Sequence, residues 1–204
     1  MVAAVPAMAP AKSVKVKSGT YKGSVLANGG DEGGDFRTPI SISVSKGRVT
    51  KLVLSKFTLW AADQPADVAT GGQPQACQQA GTAPGSTFTP TLTFRFLSNA
   101  DGSASQGPVK IGRTGSFSVN ANFGEGEVGS PISSVTYATT GNSPVPATSG
   151  QLSFKGRFSS SKKAKGSLAS LSIKLGAGIE QFTCNSYWAE GQESWPWGIP
   201  SAPK

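Results

Sequence analysis

Apolar and polar side chains alternate along most of this chain, and this period of two constrains its fold more than any other feature. In residues 39–45, for example, Ile40, Ile42 and Val44 alternate with serines. Successive side chains of a β-strand point to opposite faces, so the alternation predicts strands with one buried face. Similar patterns occupy 19–26, 48–60, 87–97, 117–121, 151–158, 167–175 and 179–188. Because no segment of useful length has a helical period, the sequence predicts an all-β protein: a single antiparallel β-sandwich or flattened barrel of about 8–10 strands.

Glycine-containing turns separate several of these strands. Lys46-Gly47 lies between two alternating segments and predicts a β-hairpin, and Gly112–Gly115 predicts a second tight turn. We expect one β-sandwich domain over residues 18–192. The remaining segments are predicted to be a long loop at 61–85, a Gly/Ser/Pro-rich insertion at 124–150 with one weak strand at 132–138, and an irregular Trp/Pro-rich tail at 193–204.

The types of residue present exclude several kinds of site. The chain has no His, which removes Ser-His-Asp and Cys-His catalysis and any His-ligated zinc. Its two Cys are too few for a Cys-only zinc site. We therefore expect no metal centre, no cofactor and no enzymatic activity.

Two sets of carboxylates in Gly-rich segments are weaker candidates for chemistry. Asp31, Glu32 and Asp35 carry oxygens of the kind that Ca²⁺ prefers, without the spacing of an EF-hand. Glu125 and Glu127 lie two residues apart, and a pair of carboxylates is what glycoside hydrolysis needs. Both sets also fit solvent-exposed turns or loops.

The first residues resemble the end of a signal peptide. Residues 1–11 are small, apolar and uncharged, and Ala9-Pro10-Ala11 matches an A-x-A cleavage site directly before Lys12. We expect residues 1–17 to be the remnant of a signal peptide and a disordered leader, and the protein to be secreted. A disordered leader on a cytosolic protein is the alternative. No apolar stretch approaches the roughly 18–20 residues of a membrane span, so no transmembrane segment is expected.

The two cysteines, Cys77 and Cys184, are far apart in the sequence. In an exported domain such a pair usually forms one disulfide, which would attach the 61–85 loop to the last strand. Two unrelated buried thiols are the alternative.

The order of several short motifs resembles a known group of proteins. The motifs are GTYKG, ISISVSKGRVTKL, VKIGRTGSFSVN, GQLSFKGRFSSSKKAKGSL and FTCNSYWAEG, between Gly19 and Gly191. In this order they resemble the small secreted β-domain proteins of actinobacteria that begin with G-x-Y-x-G and close on a Cys-bearing strand. The resemblance implies secretion, a β fold and the placing of the Cys pair, and it implies no activity. The 124–150 insertion and the Trp-rich tail depart from the pattern.

The chain is basic, with 19 Lys and Arg against 11 Asp and Glu. Lys162, Lys163 and Lys165 lie in a predicted turn, with Lys155 and Arg157 just before it and no acid between residues 151 and 178. The cluster predicts a surface for an anionic partner such as a wall polymer, and a solvated turn that discourages edge pairing is the alternative. Sequence-specific nucleic-acid binding is not expected, because no reading helix and no RNP-like strand is present.

Aromatic residues near the end of the chain are candidates for a sugar-binding platform. Trp195 and Trp197 flank Pro196 in the predicted tail, where they either present flat apolar faces to a ligand or pack back on the sheet. Trp60 and Trp188 are expected at the edge of the core, and Tyr187 is a further candidate.

Together these patterns favour a secreted, non-catalytic domain with a binding or structural role at the cell envelope or outside the cell. Its expected ligand is a glycan or an anionic wall polymer, bound by Trp195, Trp197, Lys162, Lys163 and Lys165. The alternative is an extracellular carbohydrate-active enzyme of β-sandwich fold. The oligomeric state does not follow from the sequence.

Overall fold

The computed structural model describes residues 13–27, 36–61, 89–97, 108–124, 127, 129–138, 143–177, 180–185 and 195–200. Within these residues the chain forms thirteen strands and no helix. The strands are β1 (Gly19–Ala27), β2 (Phe36–Ser45), β3 (Arg48–Leu54), β4 (Trp60–Ala61), β5 (Thr91–Phe96), β6 (Val109–Lys110), β7 (Ser116–Gly124), β8 (Ile132–Ala138), β9 (Val145–Pro146), β10 (Ser149–Phe158), β11 (Ala164–Ala177), β12 (Glu180–Asn185) and β13 (Trp195–Ile199).

All these strands belong to one antiparallel sheet that curls into a half-barrel. The strand order is β4-β12-β11-β13-β1-β2-β3-β5-β8-β9, while β10 joins β11 to β7 and β6 lies beside β3. The predicted all-β, antiparallel fold class is confirmed. The segment that matters most for the site is the run β7-β10-β11-β13-β1-β2, because it forms one continuous surface.

The alternating residues form the hydrophobic core as predicted. Ile40, Ile42 and Val44 of β2 are buried, and so are Leu52 and Leu54 on the paired strand β3. Removing a side chain of this size from water contributes roughly 1.5–3 kcal/mol. The intervening serines of β2 lie on the opposite, outer face of the sheet.

The Lys46-Gly47 turn forms the predicted hairpin between β2 and β3. Both residues have positive φ angles, 48° for Lys46 and 71° for Gly47. Positive φ at both central residues is the requirement of a two-residue type I′ turn, whose twist matches that of the strands. Glycine at the second position therefore fixes the register in which these two core strands meet.

One segment that the sequence predicts to be irregular is part of the sheet. Residues 195–199 form β13, which lies between β11 and β1, so the prediction of an irregular tail is wrong here. In the 124–150 insertion the predicted strand at 132–138 is confirmed as β8, which pairs with β5, and the insertion also contains the short strand β9, which was not predicted. The leader also packs more closely than predicted, because Val14 and Val16 lie against the core.

Candidate functional site

Trp195 and Trp197 belong to the interior of the protein. Their exposed fractions are 6% and 3%, so both pack back on the sheet, which is one of the two arrangements that the sequence allows, and neither presents an open flat face. The Trp195 ring lies 4.8 Å from the ring of Phe57. The Trp197 ring stacks on Phe154 at 5.1 Å, and its Nε1 donates a hydrogen bond of 3.1 Å to the carbonyl oxygen of Lys155. Trp197 therefore connects β13 to β10 beneath the strand that separates them.

Two glycines leave the space that the Trp197 ring fills. Gly156 of β10 is opposite Gly166 of β11, and Gly166 is opposite Trp197. A Cβ atom on Gly156 would lie 2.7 Å from Cη2 of Trp197, and one on Gly166 would lie 2.7 Å from its Cε2. Since real Cβ contacts are longer than 3.0 Å, a side chain at position 156 would displace the ring, and one at position 166 would meet the backbone of Lys155 and Gly156 as well as the ring.

Cations occupy the outer face directly above this packing. The cross-strand register runs from Ser116 through Arg157, Lys165 and Gly198 to Ser24 on successive strands. Arg157 and Lys165 are both exposed and directly opposite one another. Gly198 adds no side chain, and a Cβ built there would meet nothing within 4 Å. The outer surface is therefore recessed at Gly198, and the side chains of Lys165 and Arg157 place positive charge on one side of the recess.

Two adjoining depressions follow this row. The first has a volume of about 480 Å³ and includes Arg37 and Lys163 in its lining. The second has a volume of about 610 Å³ and includes Lys155 and Arg157. They share three lining residues, Lys165, Pro196 and Trp197. We name the combined surface the basic groove; its cations are Arg37, Lys155, Arg157, Lys163 and Lys165.

The described lining of the basic groove is positively charged. It includes five cations, and no Asp or Glu occurs among the described residues of either depression. An anion in the groove would therefore meet several positive charges and no described carboxylate of the lining.

Hydrogen bonds hold the turn between β10 and β11 in shape. The hydroxyl of Ser160 accepts bonds of 3.1 Å from the backbone N–H groups of Lys162 and Lys163. At the neighbouring turn, Nε of Arg157 donates to the carbonyl oxygen of Thr114 at 3.1 Å. Of the three lysines predicted as ligand-binding, Lys163 and Lys165 line the groove, and Lys162 is exposed in the turn beside it.

Tyr21 lies behind the same turn. Its side chain is fully buried, its ring meets Phe158 edge-on at 5.0 Å, and its hydroxyl donates to the carbonyl oxygen of Lys17 at 2.8 Å. The carbonyl oxygen of Ser161, in the turn itself, lies 3.3 Å from this hydroxyl. Burial raises the pKa of Tyr21 above its usual 10.0, because the phenolate would lose its hydration.

The other candidates from the sequence have different outcomes. Several candidates lie outside the described part of the chain. They come from the predicted leader, the calcium loop, the disulfide, the carboxylate pair and the aromatic group, in this order: residues 1–12; Asp31, Glu32 and Asp35; Cys77; Glu125; Tyr187 and Trp188. Glu127 is exposed. Cys184 is fully buried in β12, opposite Ile173, and its disulfide with Cys77 stays a prediction. No cluster of His, Cys, Asp or Glu suited to a metal ion occurs in the described residues.

The chain matches no protein-family model, no curated protein and no solved structure. The described part of the chain contains no membrane-spanning helix.

Sequence reasoning missed two contributors to the groove, Arg37 and Pro196. Arg37 is opposite Leu26 in the β1–β2 ladder, and Leu26 also lines the groove. Pro196 arrives with β13, the strand that the sequence prediction lacked. Neither residue carries a local signal, because both are brought to the lysines by pairing between distant segments.

Proposed function

We propose that this chain is a secreted, non-catalytic domain of the cell envelope or extracellular space, whose basic groove binds a polymer that carries repeated anionic groups. Phosphate-bearing wall polymers and acidic glycans both have this chemistry. The observation that carries the proposal is the pair of cations Arg157 and Lys165, which lie directly opposite one another in a groove whose described lining contains no carboxylate. The Ala9-Pro10-Ala11 site supports export.

The cross-strand pair is unfavourable for the protein alone. Opposite charges at directly paired positions stabilise a sheet by roughly 0.2–1 kcal/mol, and like charges oppose it. Arg157 and Lys165 are kept together because the ladders on both sides fix their strands. A phosphate, sulfate or carboxylate placed between them converts this repulsion into two charge-assisted hydrogen bonds, and the planar Arg guanidinium suits such anions well.

The shape of the basic groove favours a polymer over a small ion. The lining extends from Ser116 and Ser118 on β7 to Arg37 on β2, across five strand spacings. At about 4.8 Å per spacing this is about 24 Å. A single phosphate would occupy only part of that length, whereas a polymer chain meets several cations in succession.

Neutralising the groove should weaken polymer binding and its dependence on salt. We expect the triple variant Lys155→Gln, Lys163→Gln, Lys165→Gln to bind long-chain polyphosphate at least about tenfold more weakly, since three exposed contacts at roughly 0.5 kcal/mol each give about 1.5 kcal/mol. The slope of log affinity against log salt should fall by about one for each lost contact. Titration calorimetry at several salt concentrations measures both quantities.

A second triple variant controls for net charge. Lys15→Gln, Lys56→Gln and Lys174→Gln remove the same charge from scattered positions that line neither depression. We expect this variant to keep the parent's affinity apart from a small long-range effect. Equal losses in the two variants would mean that net charge alone attracts the polymer, and the proposed site would be wrong. An uncharged glucan tests the charge requirement and should not bind.

A further inference from the structure

A second set of cations lies on the outer face of the sheet, away from the basic groove. Lys51 of β3 is directly opposite Arg95 of β5, and Arg48 of β3 is directly opposite Lys110 of β6. Both pairs again place like charges in register, which a sheet disfavours. We name these four residues the β3 stripe.

A β-bulge brings the two pairs onto the same face. The register between β2 and β3 shifts after Ser43, so that Ser43 is opposite Lys51 while Val44 is opposite Val49. The extra residue, Thr50, lets Arg48 and Lys51 point outward although they are three residues apart. Arg95 and Lys110 are exposed, and Lys51 is half-buried. Bulges often re-aim side chains near functional sites.

The cross-strand neighbours of the Lys51–Arg95 pair are neutral. The row that contains Lys51 and Arg95 continues to Ser43 on one side and Ser134 on the other. No carboxylate is therefore in register with this pair. The stripe is also separate from the basic groove. The groove reaches β2 at Arg37, and Ser43, which is opposite Lys51, lies six residues further along that strand, or about 20 Å at about 3.4 Å per residue. Lys165 of β11 is separated from β3 by β13, β1 and β2. Four strand spacings correspond to about 19 Å along the sheet.

We infer that the β3 stripe is a second binding surface for the same class of polyanion, so that one domain holds two polymer segments and can bridge two chains. This inference rests on the proposed function of the basic groove. The supporting observation is that like-charge pairs in register, with a neutral row around the central pair, recur at a second place on the same face. The domain would then cross-link an anionic polymer as well as adhere to it.

Short and long phosphate oligomers separate the two sites. Tripolyphosphate is too short to span about 19 Å, so calorimetry should find two bound per parent molecule. The variant Lys51→Gln, Arg95→Gln, Lys110→Gln should bind one, and so should Lys155→Gln, Lys163→Gln, Lys165→Gln. The scattered control Lys15→Gln, Lys56→Gln, Lys174→Gln should keep two. Thermal unfolding of each variant checks that its fold is retained.

A separate experiment tests whether one protein molecule bridges two polyphosphate chains. The parent protein, bound to immobilised long-chain polyphosphate, should capture a second, fluorescently labelled polyphosphate, and either triple variant of a binding surface should lose this capture. Unchanged stoichiometry in the Lys51→Gln, Arg95→Gln, Lys110→Gln variant would overturn the inference while leaving the basic groove in place. Unchanged stoichiometry in the groove variant, with a loss in the stripe variant, would instead overturn the proposed function.

Discussion

The substitution Gly156→Ala tests the packing beneath the basic groove most directly. The new Cβ would lie 2.7 Å from Cη2 of Trp197, closer still to its Cζ2, and 2.8 Å from Cζ of Phe117. The indole cannot move away freely, because it stacks on Phe154 and donates its Nε1 hydrogen to the carbonyl oxygen of Lys155. The strain must therefore be relieved by separating β10 from β13 or by breaking that hydrogen bond.

The expected cost is that of overpacking a well-filled core, about 1–3 kcal/mol. For a domain of this size each kcal/mol lowers the melting temperature by roughly 2–4 °C, so we expect a decrease of about 2–12 °C. Urea unfolding followed by far-ultraviolet circular dichroism gives the free energy of unfolding, and calorimetry gives the melting temperature.

Gly198→Ala is the matched control, since it makes the same chemical change on β13. A Cβ at position 198 meets nothing within 4 Å. We expect no loss of stability, or a gain of up to about 1 kcal/mol from the reduced entropy of the unfolded chain. If the two alanine variants were equally stable, the argument from the Trp197 ring would be wrong.

A double-mutant cycle identifies the obstacle. Trp197→Phe replaces the indole with a smaller ring, so Gly156→Ala should cost less in that background than in the parent. Contacting residues typically couple by about 0.5–3 kcal/mol. If the free-energy costs of the two substitutions simply added, the methyl group introduced at position 156 would not be in contact with the indole.

Two further predictions concern pH and redox state. Because burial raises the pKa of Tyr21 above 10.0, the unfolded chain ionises first as the pH rises, so stability should fall above pH 10.0. Tyr21→Phe should cost about 1 kcal/mol at neutral pH through the lost hydroxyl bond and should flatten that alkaline decline, as urea unfolding at a series of pH values would show. The predicted Cys77–Cys184 disulfide would close a loop on the order of a hundred residues, worth at most about 4–5 kcal/mol. Reductant should therefore lower the melting temperature of the parent, and an unchanged melting temperature would contradict the pairing.

Local patterns were sufficient to predict most of the strands. The serines and aliphatic residues of β2 alternate without interruption, and Lys46-Gly47 supplies the positive φ angles that its turn requires. A strict alternation does not hold along β11, where Leu168 is buried and Ala169 is only partly buried. Ser153 of β10 is opposite Ser170 and Phe154 is opposite Leu168, so Ala169 is an extra residue on β11 and forms a bulge. The bulge moves the buried face of β11 by one residue, which a strict period of two cannot predict.

Proline is the reason that β13 was not predicted. Trp195, Trp197 and Ile199 have the period of a strand, but Pro196 cannot donate to a ladder and usually excludes an interior strand. The sheet accommodates it because β1 pairs with β13 only at Trp197 and Gly198. Pro196 therefore lies beyond the β1 ladder, exposed on the outer face. Whether a proline is tolerated at position 196 therefore depends on where β1, a strand from the other end of the sequence, ends its pairing with β13.

The basic groove depends on the core beneath it for its geometry. The backbone carbonyl of Lys155 is held by the Trp197 indole, and Gly156 and Gly166 let the indole reach it. The cations of β10 and β11 consequently stand on strands that are fixed from below as well as from the sides. Fixed strands cannot separate to relieve the repulsion between Arg157 and Lys165, so the anion that we propose to bind there would relieve it without any rearrangement of the backbone. Under this proposal little binding free energy would be spent on ordering the site, and more of it would contribute to affinity, which is the physical advantage of placing an anion site on a rigid sheet.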